Sequence, residues 1–595
     1  MKANWNYRCN ETTNTQPGFP RSVFHLCSSV AKICRMESTR AQSDPLTPSQ
    51  RQAVVARGNV LVVAGAGTGK THTLVTRCLD CLCRERAALE DILVVTFTEA
   101  AATELKQRLR TALEQALHSQ LLGAPNPVSA GEGGSTINQH LAEQLALFDT
   151  APIGTLHSFC LRLVREHFYE LGLDPELAVL NAGEARLLAE ETLDEQFQSH
   201  YAGQTGLSVA TQELIQIYGS GDERPIRALL LRLHHYTQTR SDANRWLAAQ
   251  MTRFNSPEPL EWREWLRDAI TGWRAEWLTA LDELKSENEK AAECREILLK
   301  LPEAFSFEPA KTVLEEILVA DGNYPARKKT ALRKPLEAFF ADAAFLHSLM
   351  PSGSGRDPLA EDWDWVRGHM TALLQLGQEF GGKFAERKRA DGVLDFHDLE
   401  QFALQVLWDP AADKPTPAAE RWRKKIRFVL VDEYQDINAA QDKIIQALSR
   451  TGAAANRFLV GDVKQSIYRF RLADPKIFRE YARSWHGREG RTIPLTENFR
   501  SREGLLGMVN SVFERLMRGD VGGVDYNAEA RLQFGAPEKR ATLGVAQNPS
   551  PRAELLLRFK GGRSDDLLGD DTTDTDLAAL EESEKEARLV ASRLW

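Results

Sequence analysis

A glycine-rich loop between a short apolar run and a helical segment constrains this chain more than any other feature. The apolar run, residues 60–63, predicts a strand buried on both faces, and residues 72–83 have helical periodicity. The loop consists of Ala64, Gly65, Ala66, Gly67, Thr68, Gly69, Lys70 and Thr71. Its glycines let backbone N–H groups curve around a phosphate, while Lys70 neutralises phosphate oxygens and the Thr71 hydroxyl can hold Mg²⁺. Ala64 replaces the first glycine of the strict pattern, and the strand-loop-helix context still predicts nucleotide binding.

Three further apolar runs predict strands of the same kind. They are residues 92–95, 428–431 and 458–460, and more than 300 residues separate the first two strands from the last two. Residues from about 184 to 386 have helical periodicity and few β-branched runs. The pattern therefore predicts one parallel α/β sheet with a large helical insert.

Two adjacent acids follow the third apolar run. Asp432 can accept the Mg²⁺ shell and Glu433 can polarise an attacking water, which are the two needs of phosphoanhydride hydrolysis. The alternative is a capped surface edge of a strand, which the glycine-rich loop makes less favoured. The two patterns together predict binding of a nucleotide with Mg²⁺.

Four segments, taken in order, resemble the motifs of UvrD/Rep-like superfamily 1 DNA helicases. The segments are residues 64–71, the Asp-Glu-Tyr-Gln-Asp run at 432–436, residues 461–471 and the Leu-Thr-Glu-Asn-Phe-Arg-Ser run at 495–501. The wording of residues 463–471 and the long insert are most similar to the AddA/RecB branch, the helicase-nucleases of double-strand break repair. The resemblance extends from about Leu46 to Glu514 and implies a RecA-like P-loop NTPase core.

The resemblance implies roles for individual nucleotide-site residues. Gln50 matches a glutamine that reads adenine, and Phe499 matches an aromatic near the base. Gln465 matches the glutamine that couples the γ-phosphate to DNA. Arg500 matches an arginine that touches the γ-phosphate, and Arg471 is assigned to the same network. The alternative for each is a solvated loop side chain.

The resemblance also implies a face that binds single-stranded DNA. Its candidate residues are Phe97, Thr98, Thr155, His157, Tyr468 and Phe470. Hydroxyls and backbone N–H groups would meet phosphates, and the aromatic rings would stack on bases without sequence preference. Glu99 stands where many relatives carry Asn. Phe470 and Phe159 could instead be core residues.

The predicted domains follow from these segments. Residues 1–43 form a poorly structured extension, 44–180 the first part of the core with a loop insert at about 113–149, and 181–394 the helical insert domain. Residues 395–490 complete the core, and 491–595 begin a second RecA-like domain. A helical pattern that stops at Trp595, and the lack of the family's last motifs after Arg500, predict a fragment of a longer protein.

The resemblance implies an ATP-dependent DNA helicase that moves 3′ to 5′ on single-stranded DNA. Its expected partners are single-stranded or end-containing double-stranded DNA and a second helicase-nuclease subunit. One alternative is a module that binds ATP and DNA without efficient turnover. Another is a P-loop enzyme acting on a small molecule, which would make the ordered motifs a coincidence.

Composition bounds the remaining possibilities. The net charge of −9 argues against a uniformly basic surface but leaves basic stretches at 383–389 and 421–427, which either follow a phosphate backbone or are solvated faces. The sequence predicts no membrane-spanning helix, and its eight cysteines predict a reducing, cytoplasmic location. Cys78, Cys81 and Cys83 lack a second pair at zinc spacing, and a tryptophan stripe on residues 262–277 predicts core packing.

Overall fold

A computed structural model describes residues 46–121, 134–325, 328–351, 355–487, 489–519, 523–544 and 582–594. The predicted extension at 1–43 lies outside the described residues. The strands of the described part are β1 Val60–Ala64, β2 Ile92–Thr96, β3 Ile153–Thr155, β4 Ala178–Val179, β5 Val393–Leu394, β6 Trp408–Asp409, β7 Lys414–Pro415, β8 Phe428–Val431, β9 Arg457–Gly461, β10 Arg491–Leu495, β11 Glu497–Asn498 and β12 Gln533–Phe534.

Six of these strands form one parallel sheet in the order β10-β1-β9-β8-β2-β3. Strands from the two ends of the sequence interleave, since β8 pairs with β2 and β9 pairs with β1. The prediction of a parallel α/β sheet is confirmed. Because the carboxyl ends of parallel strands lie at one edge, the loops after β1, β2, β8 and β9 all open at that edge.

The inner strands of the sheet are buried on both faces because they carry continuous apolar runs. In β1, Leu61 packs into one core, while Val60 and Val62 pack into the other. Helices cover both faces, as a parallel sheet requires. Outside the insert, the helices are Pro48–Val55, Lys70–Cys83, Glu99–Leu121, Gly134–Ala146, Leu156–Glu166, Phe168–Leu171, Phe396–Leu407, Pro417–Lys425, Ala439–Leu448, Pro475–Ser484, Glu503–Leu516 and Glu582–Leu594.

A long helical stretch lies between β4 and β5 in the sequence. These two short strands pair with each other, apart from the six-stranded sheet, where the stretch begins and ends. Its helices are Ala182–Ala202, Gly206–Gly219, Arg224–Gln238, Ala243–Phe254, Leu260–Leu284, Glu289–Leu299, Phe307–Gly322, Lys329–Arg333, Glu337–Ser348 and Pro358–Ala390. They enclose two apolar cores of their own. The stretch therefore has separate packing, and residues near 180 and 393 mark its ends.

Two predicted boundaries differ from the structure. Residues 491–495, which we assigned to the second domain, form β10 and pair with β1 along its whole length. Ile493 and Leu495 are buried with Val60 and Val62, so this segment completes the first sheet. The predicted loop at about 113–149 contains the end of helix Glu99–Leu121 and all of helix Gly134–Ala146.

The tryptophan stripe is mostly core. Trp273 stacks on Phe339, and Trp277 meets the same ring edge-on. Trp265 instead is 61% exposed, because its position on the 25-residue helix Leu260–Leu284 faces away from that core.

The basic stretch at 383–389 is largely ion-paired within the fold. Lys388 is buried and pairs with Asp395 and Asp398, and Arg387 pairs with Asp391 and acids of helix Ala182–Ala202. Asp395 also caps helix Phe396–Leu407. In the stretch at 421–427, Arg423 and Arg427 bond to neighbouring backbone and acids. These contacts favour a structural role for both stretches.

Cys78, Cys81 and Cys83 are buried on helix Lys70–Cys83. Burial raises the pKa of Cys81 and of Cys83 to about 11, so both thiols stay protonated. Among the described residues, no group of three or more histidine, cysteine or acidic side chains could hold a metal ion. Likewise, none of the helices in the described ranges has the length and apolar character needed to cross a membrane.

Candidate nucleotide-binding site and adjoining aromatic face

The glycine-rich loop joins β1 to helix Lys70–Cys83 in a tightly enclosed path. Gly67 and Gly69 have φ of +72° and +85°, values that glycine adopts without strain. A Cβ at Gly67 would lie 2.7 Å from Cβ of Arg500, and one at Gly69 would lie 2.8 Å from Nε2 of Gln50. No side chain caps the helix that follows, so its first N–H groups remain available to an anion.

Gln50 lies directly against this loop. Thr47 and Gln50 form a reciprocal capping box at the start of helix Pro48–Val55. Nε2 of Gln50 also donates to the carbonyl oxygen of Thr68 at 3.0 Å, and the Thr68 hydroxyl donates to Gly65 O at 2.8 Å. The structure thus brings the predicted adenine-reading residue to the loop. Its contact with a base stays a prediction.

The two acids after β8 face Lys70. Nζ of Lys70 lies 2.6 Å from Oε2 of Glu433, and Glu433 itself has a φ of +50°. Asp432 is buried, and its backbone N–H donates to Val95 O in β2 at 2.9 Å. Burial, followed by the neighbouring charge of Glu433, raises the pKa of Asp432 to about 6. The site therefore concentrates two acids and one lysine at the carboxyl edge of the sheet.

A second layer of polar residues holds these acids, and sequence reasoning missed its central member. Gln435 is buried and donates from Nε2 to Glu433 and to Asp436. Nε2 of Gln465 donates to Oδ2 of Asp462 at 2.8 Å, so Gln465 is tied to the start of its own loop. Gln435 belongs to the 432–436 motif, but its sequence position alone does not show that its amide faces Glu433 and Asp436.

Residues 498–500 close the other side of the glycine-rich loop. Nδ2 of Asn498 donates to Ala66 O at 2.6 Å, and the Phe499 N–H donates to Gly67 O at 2.8 Å. The Arg500 N–H donates to Oδ1 of Asn498 at 2.9 Å, which fixes the turn. The predicted residues Phe499 and Arg500 are therefore held at the loop by Asn498, which the sequence motifs did not single out.

An aromatic cluster lies beside this site, formed by Phe97, Tyr468 and Phe470. The ring centroids of Phe97 and Tyr468 are 5.0 Å apart, and those of Tyr468 and Phe470 are 5.8 Å apart. Phe470 is 75% exposed, which excludes the core alternative for it. The Arg471 guanidinium lies within 6.0 Å of all three ring centroids. Arg471 thus belongs to the aromatic cluster in this structure, and its predicted γ-phosphate role is not supported by a described contact.

Thr98, Thr155 and His157 lie near the ends of the adjoining strands. Thr98 caps helix Glu99–Leu121 by accepting the Ala101 N–H. The Thr155 hydroxyl donates to Oε1 of Glu99 at 2.7 Å, and Nε2 of His157 lies 2.9 Å from the buried Glu400. Phe159 packs edge-on against Trp422 in the core, so its core alternative is favoured. The Thr155 hydroxyl, which we expected to contact a DNA phosphate, is thus hydrogen-bonded to Glu99 instead.

The family described as the UvrD/REP helicase N-terminal domain matches residues 46–486. The chain belongs to this helicase family. The family match confirms the resemblance inferred from the ordered motifs. The names of curated relatives, which describe helicase/nuclease subunits, confirm the helicase-nuclease branch.

Three curated relatives are named as subunits of an ATP-dependent helicase/nuclease. The chain is 34% identical to the protein of Pelotomaculum thermopropionicum over 94% of its own length, 32% to that of Desulfitobacterium hafniense (strain Y51) over 92%, and 34% to that of Desulforudis audaxviator over 92%. These matches cover 46%, 43% and 46% of the relatives. The chain thus spans less than half the length of these proteins.

The helicase family implies nucleotide with Mg²⁺, and the residues present fit that ion. Mg²⁺ keeps several waters and takes one or two protein oxygens together with phosphate oxygens. The Asp432 carboxylate is buried beside a second acid, an environment that a divalent cation would stabilise. Thr71 follows Lys70 in the first turn of the helix and supplies a hydroxyl. Both stay predicted ligands.

Replacing Asp432 with asparagine is expected to stabilise the nucleotide-free chain by about 1–3 kcal/mol at neutral pH. A carboxyl group whose pKa is raised to about 6 on folding opposes folding once it is ionised. The free-energy cost of holding the ionised Asp432 in the fold is therefore fully present above about pH 6, and it diminishes as the pH falls towards the usual carboxyl pKa near 4. Chemical denaturation at pH 7.5 and pH 5 measures both values.

The matched control for this stability prediction is Asp149→Asn, because Asp149 is exposed on the surface. It should change the free energy of unfolding by less than about 0.5 kcal/mol at either pH. Equal stability of unmodified and Asp432→Asn chains at pH 7.5 would contradict the inferred burial cost.

Proposed function

We propose that this chain is the nucleotide-binding part of an ATP-dependent DNA helicase that moves 3′ to 5′ along single-stranded DNA in recombination and double-strand break repair. The observation that carries the proposal is the convergence of Lys70, Glu433 and Arg500 at one loop, with a partly exposed aromatic cluster on the same sheet edge. The curated relatives, whose names describe ATP-dependent helicase/nuclease subunits, agree with it. The direction of movement comes from the family resemblance.

In this proposal, backbone N–H groups of the glycine-rich loop and Lys70 bind the β- and γ-phosphates of ATP. Mg²⁺, held by Thr71 and Asp432, would neutralise phosphate charge when bound. Glu433 orients the attacking water and accepts its proton, and Arg500 stabilises charge on the γ-phosphate as the bond to the β-phosphate breaks. Lys70 also pairs with Glu433, so movement of Lys70 towards the phosphates of ATP would free the carboxylate to act.

The aromatic cluster supplies the proposed DNA contact. Phe97 follows β2, and Tyr468 and Phe470 follow β9, so these rings lie at the same sheet edge as the nucleotide loop. The exposed Phe470 ring, the half-buried rings of Phe97 and Tyr468 and the adjacent arginine suit single-stranded DNA, because every base offers a stacking face and the backbone is anionic. Because both sites lie at this edge, closure of the nucleotide site would change the affinity of the aromatic cluster for DNA.

The decisive test is steady-state ATP hydrolysis by the 595-residue chain with and without single-stranded oligonucleotide. Stimulation by DNA that is lost in Lys70→Ala is the expected result, because Lys70 is the cation of the loop and is expected to neutralise the phosphates. Lys300→Ala is the matched control, since Lys300 is an exposed lysine of the helical insert paired with Glu316. It should retain the stimulated rate.

The sequence alternative, a module that binds ATP and DNA without efficient turnover, predicts a different result in the same assay. Both ligands would bind, and hydrolysis by the unmodified chain would equal that of Lys70→Ala. Absence of binding to either ligand would refute both hypotheses. End-containing duplex DNA and a second subunit stay proposed partners, and a cytoplasmic location stays a prediction.

Replacing Glu99 with glutamine is expected to tighten single-stranded DNA binding roughly threefold to tenfold at low salt, because about 1 kcal/mol of charge repulsion is removed. Glutamine keeps the length of the side chain and an oxygen that accepts from Thr155. The gain should shrink as salt rises, since salt screens exposed charges. Titration of a fluorescent oligothymidine measures both effects.

Glu114→Gln serves as the control for the DNA-affinity prediction. Glu114 is an exposed acid near the far end of the same helix, paired with Arg110. An equal gain in both variants would show a general charge effect. No gain in Glu99→Gln would place the DNA backbone away from Thr155.

A further inference from the structure

The buried Gln435 side chain joins two loops that the proposed function uses separately. Its Nε2 donates to Oε2 of Glu433 at 3.0 Å and to Oδ2 of Asp436 at 2.9 Å. Its Oε1 accepts the backbone N–H of Asp462 at 2.9 Å. Acceptors on one side and a donor on the other fix the orientation of the amide. Gln435 therefore makes specific contacts that an apolar side chain of the same size cannot replace.

On one side, the amide holds the carboxylate that orients water in the proposed reaction. Oε2 of Glu433 receives hydrogen bonds from Nζ of Lys70 and from Nε2 of Gln435. ATP would draw Lys70 towards its phosphates, which leaves Gln435 as the remaining donor in this pair. The Glu433 backbone has a φ of +50°, an uncommon conformation that surrounding contacts must maintain.

On the other side, the amide holds the start of the loop formed by residues 462–471. Asp462 is buried, its Oδ2 accepts from Gln465, and its Oδ1 lies 2.7 Å from Nζ of Lys464. The same loop carries Tyr468 and Phe470 of the aromatic cluster. A displacement of this loop would therefore reach Glu433 through the Asp462 backbone and the Gln435 amide.

Close packing leaves this amide little freedom. A Cβ at Gly461 would lie 2.5 Å from Oε1 of Gln435 and 2.8 Å from Cε2 of Phe478. Gly461 ends β9 immediately before Asp462, so the glycine allows the amide to contact the strand end. A linkage with so little room moves as a unit rather than by side-chain rearrangement.

We propose that Gln435 is a positioning residue that transmits DNA contact at the 462–471 loop to the Glu433 carboxylate. It does not touch the reacting atoms; it acts by orienting Glu433. The inference rests on the proposed function, because it requires that Glu433 orients water and that the aromatic cluster binds DNA. It identifies the hydrogen bonds that join DNA contact to hydrolysis.

The test compares Gln435→Met and Gln435→Glu in the 595-residue chain. Methionine has similar length and makes no comparable hydrogen bonds, and glutamate keeps the shape but loses the donor. Gln196→Met is the matched control, because Gln196 is a buried glutamine of the helical insert that donates to Leu376 O. Thermal unfolding and ATP affinity of every variant separate loss of folding from loss of positioning.

Both Gln435 variants should lose roughly tenfold to a hundredfold in DNA-stimulated kcat, as substitutions of orienting residues do. Their Kd values for ATP and for oligothymidine should change less than about threefold, while Gln196→Met keeps the stimulated rate. Loss of kcat in proportion to loss of folded protein or of ligand binding would overturn the inference. So would a stimulated kcat within threefold of the unmodified chain.

The pH profile supplies a readout that a purely structural role would not move. In Gln435→Glu, the new carboxyl group faces Glu433 and Asp436, and its protonated form regains an O–H donor. The ratio of its rate to that of the unmodified chain should therefore rise as pH falls from 8 to 6. A constant ratio across this range would contradict the assigned donor role.

A binding measurement distinguishes failure of this inference from failure of the proposed function. Coupling between two sites is reciprocal, so oligothymidine should change the affinity for a non-hydrolysable ATP analogue in the unmodified chain. In Gln435→Met, the ratio of the affinities for the analogue with and without oligothymidine should approach one. An unchanged factor overturns the inference alone. Absence of coupling and of stimulated turnover in the unmodified chain overturns both.

Discussion

Replacing Glu433 with glutamine should lower DNA-stimulated kcat by about 10²- to 10⁴-fold, the usual contribution of a positioned general base, while ATP binds more tightly. The first effect follows because the amide cannot accept the proton of the attacking water. The second follows from the 2.6 Å ion pair between Lys70 and Glu433. ATP must break this pair to reach Lys70, so a neutral side chain removes part of the competition.

The opposite signs of these two effects make the prediction specific. Equilibrium binding of a fluorescent ATP analogue and single-turnover hydrolysis measure them independently. Glu316→Gln is the control, since Glu316 is paired with Lys300 on the helical insert. A turnover rate within tenfold of that of the unmodified chain would show that Glu433 is not the general base of the reaction. Weaker ATP binding would show that the ion pair supports the nucleotide site instead of competing with it.

The sequence predicted the sheet because its strands are unusually uniform. β1, β2 and β9 each contain a continuous apolar run, which is typical of a parallel sheet covered on both faces. Their loops follow directly and carry recognisable phosphate and acid motifs. Lys70, Glu433 and the aromatic rings follow these strands and therefore lie at one edge of the sheet.

The differences arise where partners distant in sequence decide the structure. β10 was assigned to the wrong side of a boundary because its five residues contain a proline and alternate in burial, and only pairing with β1 identifies its sheet. Arg471 was grouped with the phosphate, yet its guanidinium lies over aromatic rings. Gln435 and Asn498 are polar residues beside more conspicuous neighbours, and only their hydrogen bonds to Glu433 and Ala66 distinguish them.

Replacing Arg500 with alanine should lower DNA-stimulated kcat by about 10³- to 10⁵-fold, the range found for arginines that stabilise phosphoryl transfer. The backbone geometry gives the reason. Asn498 and Phe499 bond to the carbonyls of Ala66 and Gly67, and Cβ of Arg500 lies at the glycine-rich loop. The backbone and Cβ of Arg500 are thereby fixed at the glycine-rich loop, from which we expect the guanidinium to reach the γ-phosphate.

Because charge on the γ-phosphate changes most in the transition state, Arg500→Ala should weaken ATP binding far less than it lowers kcat. Arg500→Lys should remain poor, since an ammonium group lacks the planar, two-pronged donor geometry of guanidinium. Arg531→Ala is the control, because Arg531 is an exposed arginine paired with Glu514 in the same part of the chain. Equal losses in kcat and ATP affinity would mean that Arg500 only binds the ground state. Full activity would mean that the arginine completing this site lies elsewhere than in residues 498–500.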